Sequence, residues 1–280
     1  MKLHTIDTGF FKLDGGAMFG SVPKSIWNKL NPADDKNMCN WAMRCLLVEQ
    51  GDRLILIDNG IGEKQSEKFF GYYYLNGTDT LEKSLNKLGF GLDEITDVFL
   101  THLHFDHCGG GVRWNKDRTK FEMTFPNAKY WTNKAHWAHA LDSNAREKAS
   151  FLKDNLLPMQ ESGYLHFVED TNIFCDNFTF KVVGGHTESM MLPELTYKGR
   201  SILYAADLFP STAHVPVNYV MSYDIKPLET MKTRETVLRE ALEKDTILYY
   251  EHDAFVECST VQLTERGSFK SLDTFKLSEL

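Results

Sequence analysis

Apolar residues along this chain recur mostly at period two or in short unbroken runs, the patterns of half-buried and fully buried strands. Residues 3–13 alternate loosely and predict a strand, closed by the turn sequence Asp14-Gly15-Gly16. Residues 43–49 and 53–57 predict two strands around Gly51-Asp52, a hairpin signal. Further strands are expected at 95–101, 121–124, 128–132, 178–183, 201–206 and 246–250. Helical spacing is rarer. Leu81, Leu85 and Leu88 recur at i, i+4 and i+7 within 79–88, before Gly89. Residues 133–161 read as polar helix with His136 and His139 on its surface, a cap over any site below it. Residues 228–243 read as an amphipathic helix. Between 20 and 41, Pro23, Trp27, Pro32 and Trp41 follow no period, which predicts either a functional loop or an excursion whose aromatics cover the core. With no internal repeat and no linker, the expectation is one α/β domain over residues 1–280.

The strand ends carry the chemistry. After the apolar run Val98-Phe99-Leu100 come His102, His104, Asp106 and His107, closed by Gly109-Gly110-Gly111. A lone histidine is usually a surface or core residue, but imidazoles and a carboxylate this dense suit zinc and its first-row neighbours. His102 and His104, two apart, share a face in extended backbone, whereas Asp106 and His107 turn out of register, toward a second ion. A linear cluster cannot complete a site, so further donors are required downstream at strand ends. The sequence offers His186 after Gly184-Gly185, Asp207 after residues 201–206, and His252 after residues 246–250. Asp58, closing a buried strand, either caps a turn or orients a ligand histidine. Cys108 reads as a small residue packed under the loop.

Composition narrows the partners. At 280 residues and 42% hydrophobic, the chain has ample core. A formal net charge of −8 argues against a nucleic-acid surface. Five scattered cysteines without a CxxC pair suit a reducing compartment and no disulfide framework. No apolar run has signal-peptide or membrane-spanning length, so a cytoplasmic protein without a membrane partner is expected.

With those residues in hand, the chain resembles the metallo-β-lactamase-fold hydrolases, whose HxHxDH motif and distant His, Asp and His appear as His102, His104, Asp106, His107, His186, Asp207 and His252. The resemblance implies a four-layer αββα sandwich with mixed β-sheets. It also implies two divalent metal ions, zinc expected, with His102, His104 and His186 on one, Asp106, His107 and His252 on the other, and Asp207 bridging. Residues 14–20, the Thr-His-Leu-His-Phe-Asp-His block and Ala206-Asp207-Leu208-Phe209-Pro210 look like the quorum-quenching branch that opens N-acyl-homoserine lactones. In that branch a metal-bridging hydroxide attacks the carbonyl, and the catalytic residues here would be Asp207 and Asp106, the latter a proton shuttle. Pro210 stands where some lactonases place a tyrosine, leaving His214, Tyr219 or Tyr223 to polarise the carbonyl. Met18, Phe19, Trp27 and Trp41, or the helical cap, are candidates to line an acyl groove. The expected partner is a small lactone or ester. A homodimer is among the expectations because lactonase relatives are often dimers. Phosphotriesterase, phosphodiesterase and thioesterase chemistry on the same metal centre remains open. His104 argues against flavodiiron redox work, where Glu stands, and Asp207 against class B1 β-lactamases, where Cys stands.

Overall fold

The N-terminal alternation becomes one long strand, β1 (Lys2–Asp14), in the computed structural model, which describes the whole chain from Met1 to Leu280. Asp14 then accepts the Ala17 N–H at 2.8 Å and starts a short helix, α1 (Gly15–Phe19). There follow α2 (Lys24–Trp27), β2 (Met38–Gln50), β3 (Arg53–Ile57), α3 (Glu67–Tyr73), α4 (Leu81–Lys87) and β4 (Asp97–Phe99). Next come α5 (Phe105–Cys108), β5 (Val112–Trp114), β6 (Phe121–Met123), β7 (Lys129–Thr132), α6 (Lys134–Leu141), α7 (Lys153–Glu161) and β8 (Leu165–Phe167). The remainder is β9 (Ile173–Cys175), β10 (Phe178–Val183), β11 (Met190–Tyr197), β12 (Arg200–Tyr204), α8 (Pro227–Lys244), β13 (Ile247–Tyr249), β14 (Cys258–Leu263) and β15 (Phe269–Phe275).

The chain divides into two compact units, Met1–Gly9 with Met43–Thr171, and Phe10–Ala42 with Asn172–Leu280. The first carries a six-stranded sheet in the order β1-β2-β3-β4-β7-β8, with the β5–β6 hairpin as a separate ribbon. β3, β4, β7 and β8 run parallel, with Ile57 opposite Phe99. Asp58 and the residues after Phe99 therefore leave the sheet at the same end, where open α/β sheets hold their chemistry. Leu47, Leu56, Val98, Leu100 and Tyr130 are buried beneath that end. The second unit carries a seven-stranded sheet, β15-β14-β13-β12-β11-β10-β9. Its only parallel pair is β12 with β13, Tyr204 opposite Tyr249, so Asp207 and His252 also emerge from one sheet end.

Two expectations change. Residues 142–152 interrupt the helix expected over 133–161, because the Asn144 side chain accepts the Arg146 and Glu147 backbone N–H groups and folds the segment into a turn. The stretch at 20–41 is not loop throughout. It contains α2, and β2 already begins at Met38, where Cys39 and Trp41 are fully buried. No helix is long and apolar enough to cross a membrane.

Candidate functional site

In the first unit, β4 delivers the histidine motif into a tightly anchored loop. Asp58, itself at φ +56°, accepts the Thr101 N–H at 2.8 Å and the Thr101 hydroxyl at 2.6 Å. With its proton committed to Asp58, the Thr101 oxygen is left to accept from His102 Nδ1 at 3.1 Å. His107 Nδ1 donates to the same Asp58 carboxylate at 3.2 Å. Both rings thereby carry their proton on Nδ1 and present Nε2 as the donor atom. His102 Nε2 lies 3.1 Å from His104 Nδ1, and His107 Nε2 lies 3.8 Å from Asp106 Oδ2. The glycines that follow are a steric requirement. A Cβ on Gly109 would lie 2.2 Å from Ile61 O, and one on Gly110 would lie 2.1 Å from Asn59 O. Buried Lys64 donates to Gly109 O and fastens the turn, and burial pushes its pKa down to about 8.

The second unit builds its cluster from separate strands. Gly185, at φ +113°, has no room for a side chain against Thr230, and the turn it permits aims His186 inward. His186 Nδ1 donates to Asp224 at 3.0 Å, and its Nε2 meets Asp207 Oδ2 at 3.1 Å. The other Asp207 oxygen lies 3.1 Å from His252 Nε2, whose ring donates through Nδ1 to Ala42 O at 2.7 Å. Ala206 reaches φ +41° to set Asp207 in place, a strained backbone of the kind that collects at functional sites. Below this cluster, buried Arg234 donates to Leu208 O and Tyr219 O, both at 2.7 Å. Burial disfavours the His186 imidazolium, yet Asp207 and Asp224 outweigh it and raise its pKa to about 10.

These donor sets fit a cation. His102 Nε2 and His104 Nδ1, 3.1 Å apart, need a proton or a cation between them. Asp207, with one oxygen 3.1 Å from His186 Nε2 and the other 3.1 Å from His252 Nε2, makes the same demand for a proton or a cation at each contact. The Metallo-beta-lactamase superfamily model matches residues 44–252. The chain belongs to that superfamily.

Among the relatives of this member of the metallo-β-lactamase superfamily is the N-acyl homoserine lactonase AiiA of Bacillus thuringiensis subsp. kurstaki, 26% identical over 144 residues. That match covers 46% of this chain and 53% of AiiA, so the chain spans about half the length of the curated relatives it matches. A probable metal-dependent hydrolase from Staphylococcus aureus superposes with a TM-score of 0.87 at 25% identity, covering 98% of this chain and 96% of that one. AidC, a dizinc quorum-quenching lactonase bound to its product, superposes with a TM-score of 0.80 at 21% identity, covering 98% and 95%.

Of the residues singled out in the sequence, His102, His104, Asp106 and His107 lie together in the first unit of this metallo-β-lactamase fold. His186, Asp207 and His252 lie together in the second. Asp58 takes the orienting role and not merely that of a turn cap. Several other expectations fail. His136 is not on the helix surface. It is fully buried, and its Nε2 accepts the Leu103 N–H at 2.8 Å. His139 also has a partner, Glu147, at 2.7 Å. Met18, Phe19, Trp27 and Trp41 do not line an open groove, because all are buried, with Phe19 stacked between Trp27 and His214. His214 is unsuited to polarise a carbonyl. Its Nε2 donates to Met18 O at 3.0 Å and its Nδ1 accepts from Ser211 at 2.8 Å. Tyr219 is half-buried and Tyr223 exposed. Asp224, Glu147 and Arg234 were missed, since no spacing in the sequence marks them. All five cysteines are free thiols, and burial pushes Cys108 up to about 12.

Proposed function

We propose that the protein is a dinuclear metallohydrolase that opens N-acyl-homoserine lactones. His102, His104 and His186 would hold one divalent ion, Asp106, His107 and His252 the other, and Asp207 would bridge, with zinc the expected metal. The observation that carries this reading is the Asp207 carboxylate, one oxygen on His186 Nε2 and the other on His252 Nε2, each at 3.1 Å. The lactone substrate is supported by the lactonase relatives. Bound divalent ions supply Lewis acidity, acidifying water and polarising a carbonyl oxygen.

The chain's own residues supply the positioning and the proton traffic. Asp58 and Asp224 hold the His107 and His186 rings through their Nδ1–H groups, which fixes tautomer and angle before substrate arrives. Asp106 is the proton shuttle. Its carboxylate takes the proton released when water adds to the lactone carbonyl and returns it to the departing alkoxide oxygen. The ring C–O bond breaks, leaving a free hydroxyl and a carboxylic acid that ionises to carboxylate and releases its proton to solvent. Purified protein should carry about two metal ions per chain and release acid from acyl-homoserine lactones in a pH-stat assay. A full metal complement that hydrolyses paraoxon-type or bis-nitrophenyl phosphates, or thioesters, but no lactone would overturn the substrate and keep the metal reading.

A further inference from the structure

His104 differs from the other histidines of both clusters. His102, His107, His186 and His252 each donate from Nδ1 and present Nε2. His104 presents Nδ1, 3.1 Å from His102 Nε2, and with that nitrogen on a metal ion its proton would reside on Nε2 and require an acceptor there. The group facing that nitrogen is Glu147, with Oε1 at 3.5 Å, an ion-pair distance between two buried side chains. The other carboxylate oxygen accepts from His139 Nε2 at 2.7 Å and Asn144 Nδ2 at 2.6 Å, which holds the group in place. Adjacent contacts press the same segment onto the motif. Leu103 N–H donates to His136, Phe105 N–H donates to Ser150 O at 3.0 Å, and Phe151 packs on the His104 ring at 4.8 Å. The consecutive residues Leu103, His104 and Phe105 are therefore each gripped by one stretch of chain outside the HxHxDH pattern.

We propose that Glu147 is a positioning residue for His104. Its carboxylate fixes the Nε2–H tautomer, keeps Nδ1 as the ligand atom and raises the basicity of that nitrogen, while His139 and Asn144 hold the carboxylate. This rests on the dinuclear reading above. The test compares wild type, Glu147→Leu and Glu147→Gln in zinc competition against a chromophoric chelator, with ¹⁵N NMR of the imidazoles and the absorption of the cobalt-substituted protein. Glu147→Leu should weaken one of the two ions by about 10–100-fold and leave the other near wild type. Glu147→Gln, whose amide oxygen still accepts a proton, should fall between, and it serves alone if the Leu variant does not fold. The His104 tautomer and the cobalt spectrum should move with the affinity. Zinc affinity, tautomer and spectrum all unchanged in both variants, with only the melting temperature of the metal-free protein lowered, would overturn the proposal. Wild-type protein that binds no zinc would instead overturn the dinuclear reading on which it rests.

Discussion

The two donor clusters reach similar chemistry by opposite routes. In the first unit the donors lie within one short loop, and Asp58 on the neighbouring parallel strand orients both Thr101 and His107. In the second, each donor leaves a different strand and is fixed by a residue far away in sequence, His186 by Asp224 and His252 by Ala42 O. Their electrostatics also differ. The first is rich in imidazole, whereas the second has Asp207 and Asp224 in the field of a buried Arg234 whose pKa burial lowers to about 10. A local cluster is shaped by its own backbone, but a dispersed one depends on tertiary contacts and on charge balance. The second cluster should accordingly be the more sensitive to loss of the buried Arg234 guanidinium beside it.

The largest effect should come from the residue that joins two imidazoles. Asp207→Ala should cut hydrolytic activity by about a thousand-fold or more, because it removes several kcal/mol of metal-assisted stabilisation. Steady-state kinetics with metal analysis would check it, and a variant with wild-type rate would break the dispersed-cluster picture. Next is Arg234→Met. Without the guanidinium, the buried Leu208 and Tyr219 carbonyls lose their donor, so metal-free protein should lose about 3 kcal/mol in urea unfolding. Smaller again is a matched pair. Asp58→Asn and Asp224→Asn should each weaken metal affinity by about 10–100-fold, the first at the ion bound by His107 and the second at the ion bound by His186. Metal titration resolves the two, and identical profiles would erase the distinction between the clusters.

What the sequence made legible was the set of donors, for a physical reason. A polar residue at the end of an apolar strand stands out, and His102, His186, Asp207 and His252 all occupy such positions. The parallel pairs β3–β4 and β12–β13 then carry those ends to common edges. The partners were hidden. Glu147 lies in a charged run that reads as solvated surface, and Arg234 sits at a polar position of an amphipathic helix, yet both are buried. Their burial is decided by what packs over them, which spacing along the chain does not encode. The same limit applies to β11, which carries Pro193 opposite Phe180, a residue that argues against a strand when read alone. It applies again to Phe19 and Trp27, whose stacking appears only when the chain folds back.

The smallest predicted effect concerns pH. Burial, reinforced by Arg234, holds His214 near a pKa of about 3, against an ordinary 6.5. The unfolded chain therefore takes up this proton first, so the contribution is intact above 6.5 and is lost as pH falls toward 3. By pH 5.5 the loss should be about 1.4 kcal/mol, read as a fall in urea midpoint that is shallower in His214→Gln. Parallel curves for the two proteins would contradict it.

The most direct single measurement is native mass spectrometry of the purified chain, which weighs bound metal and protein together. About two divalent ions per chain, falling on Asp207→Ala, is the result expected of the proposed dinuclear metallohydrolase. A wild-type chain that carries no metal after reconstitution with zinc, or the same complement with and without Asp207, would contradict it.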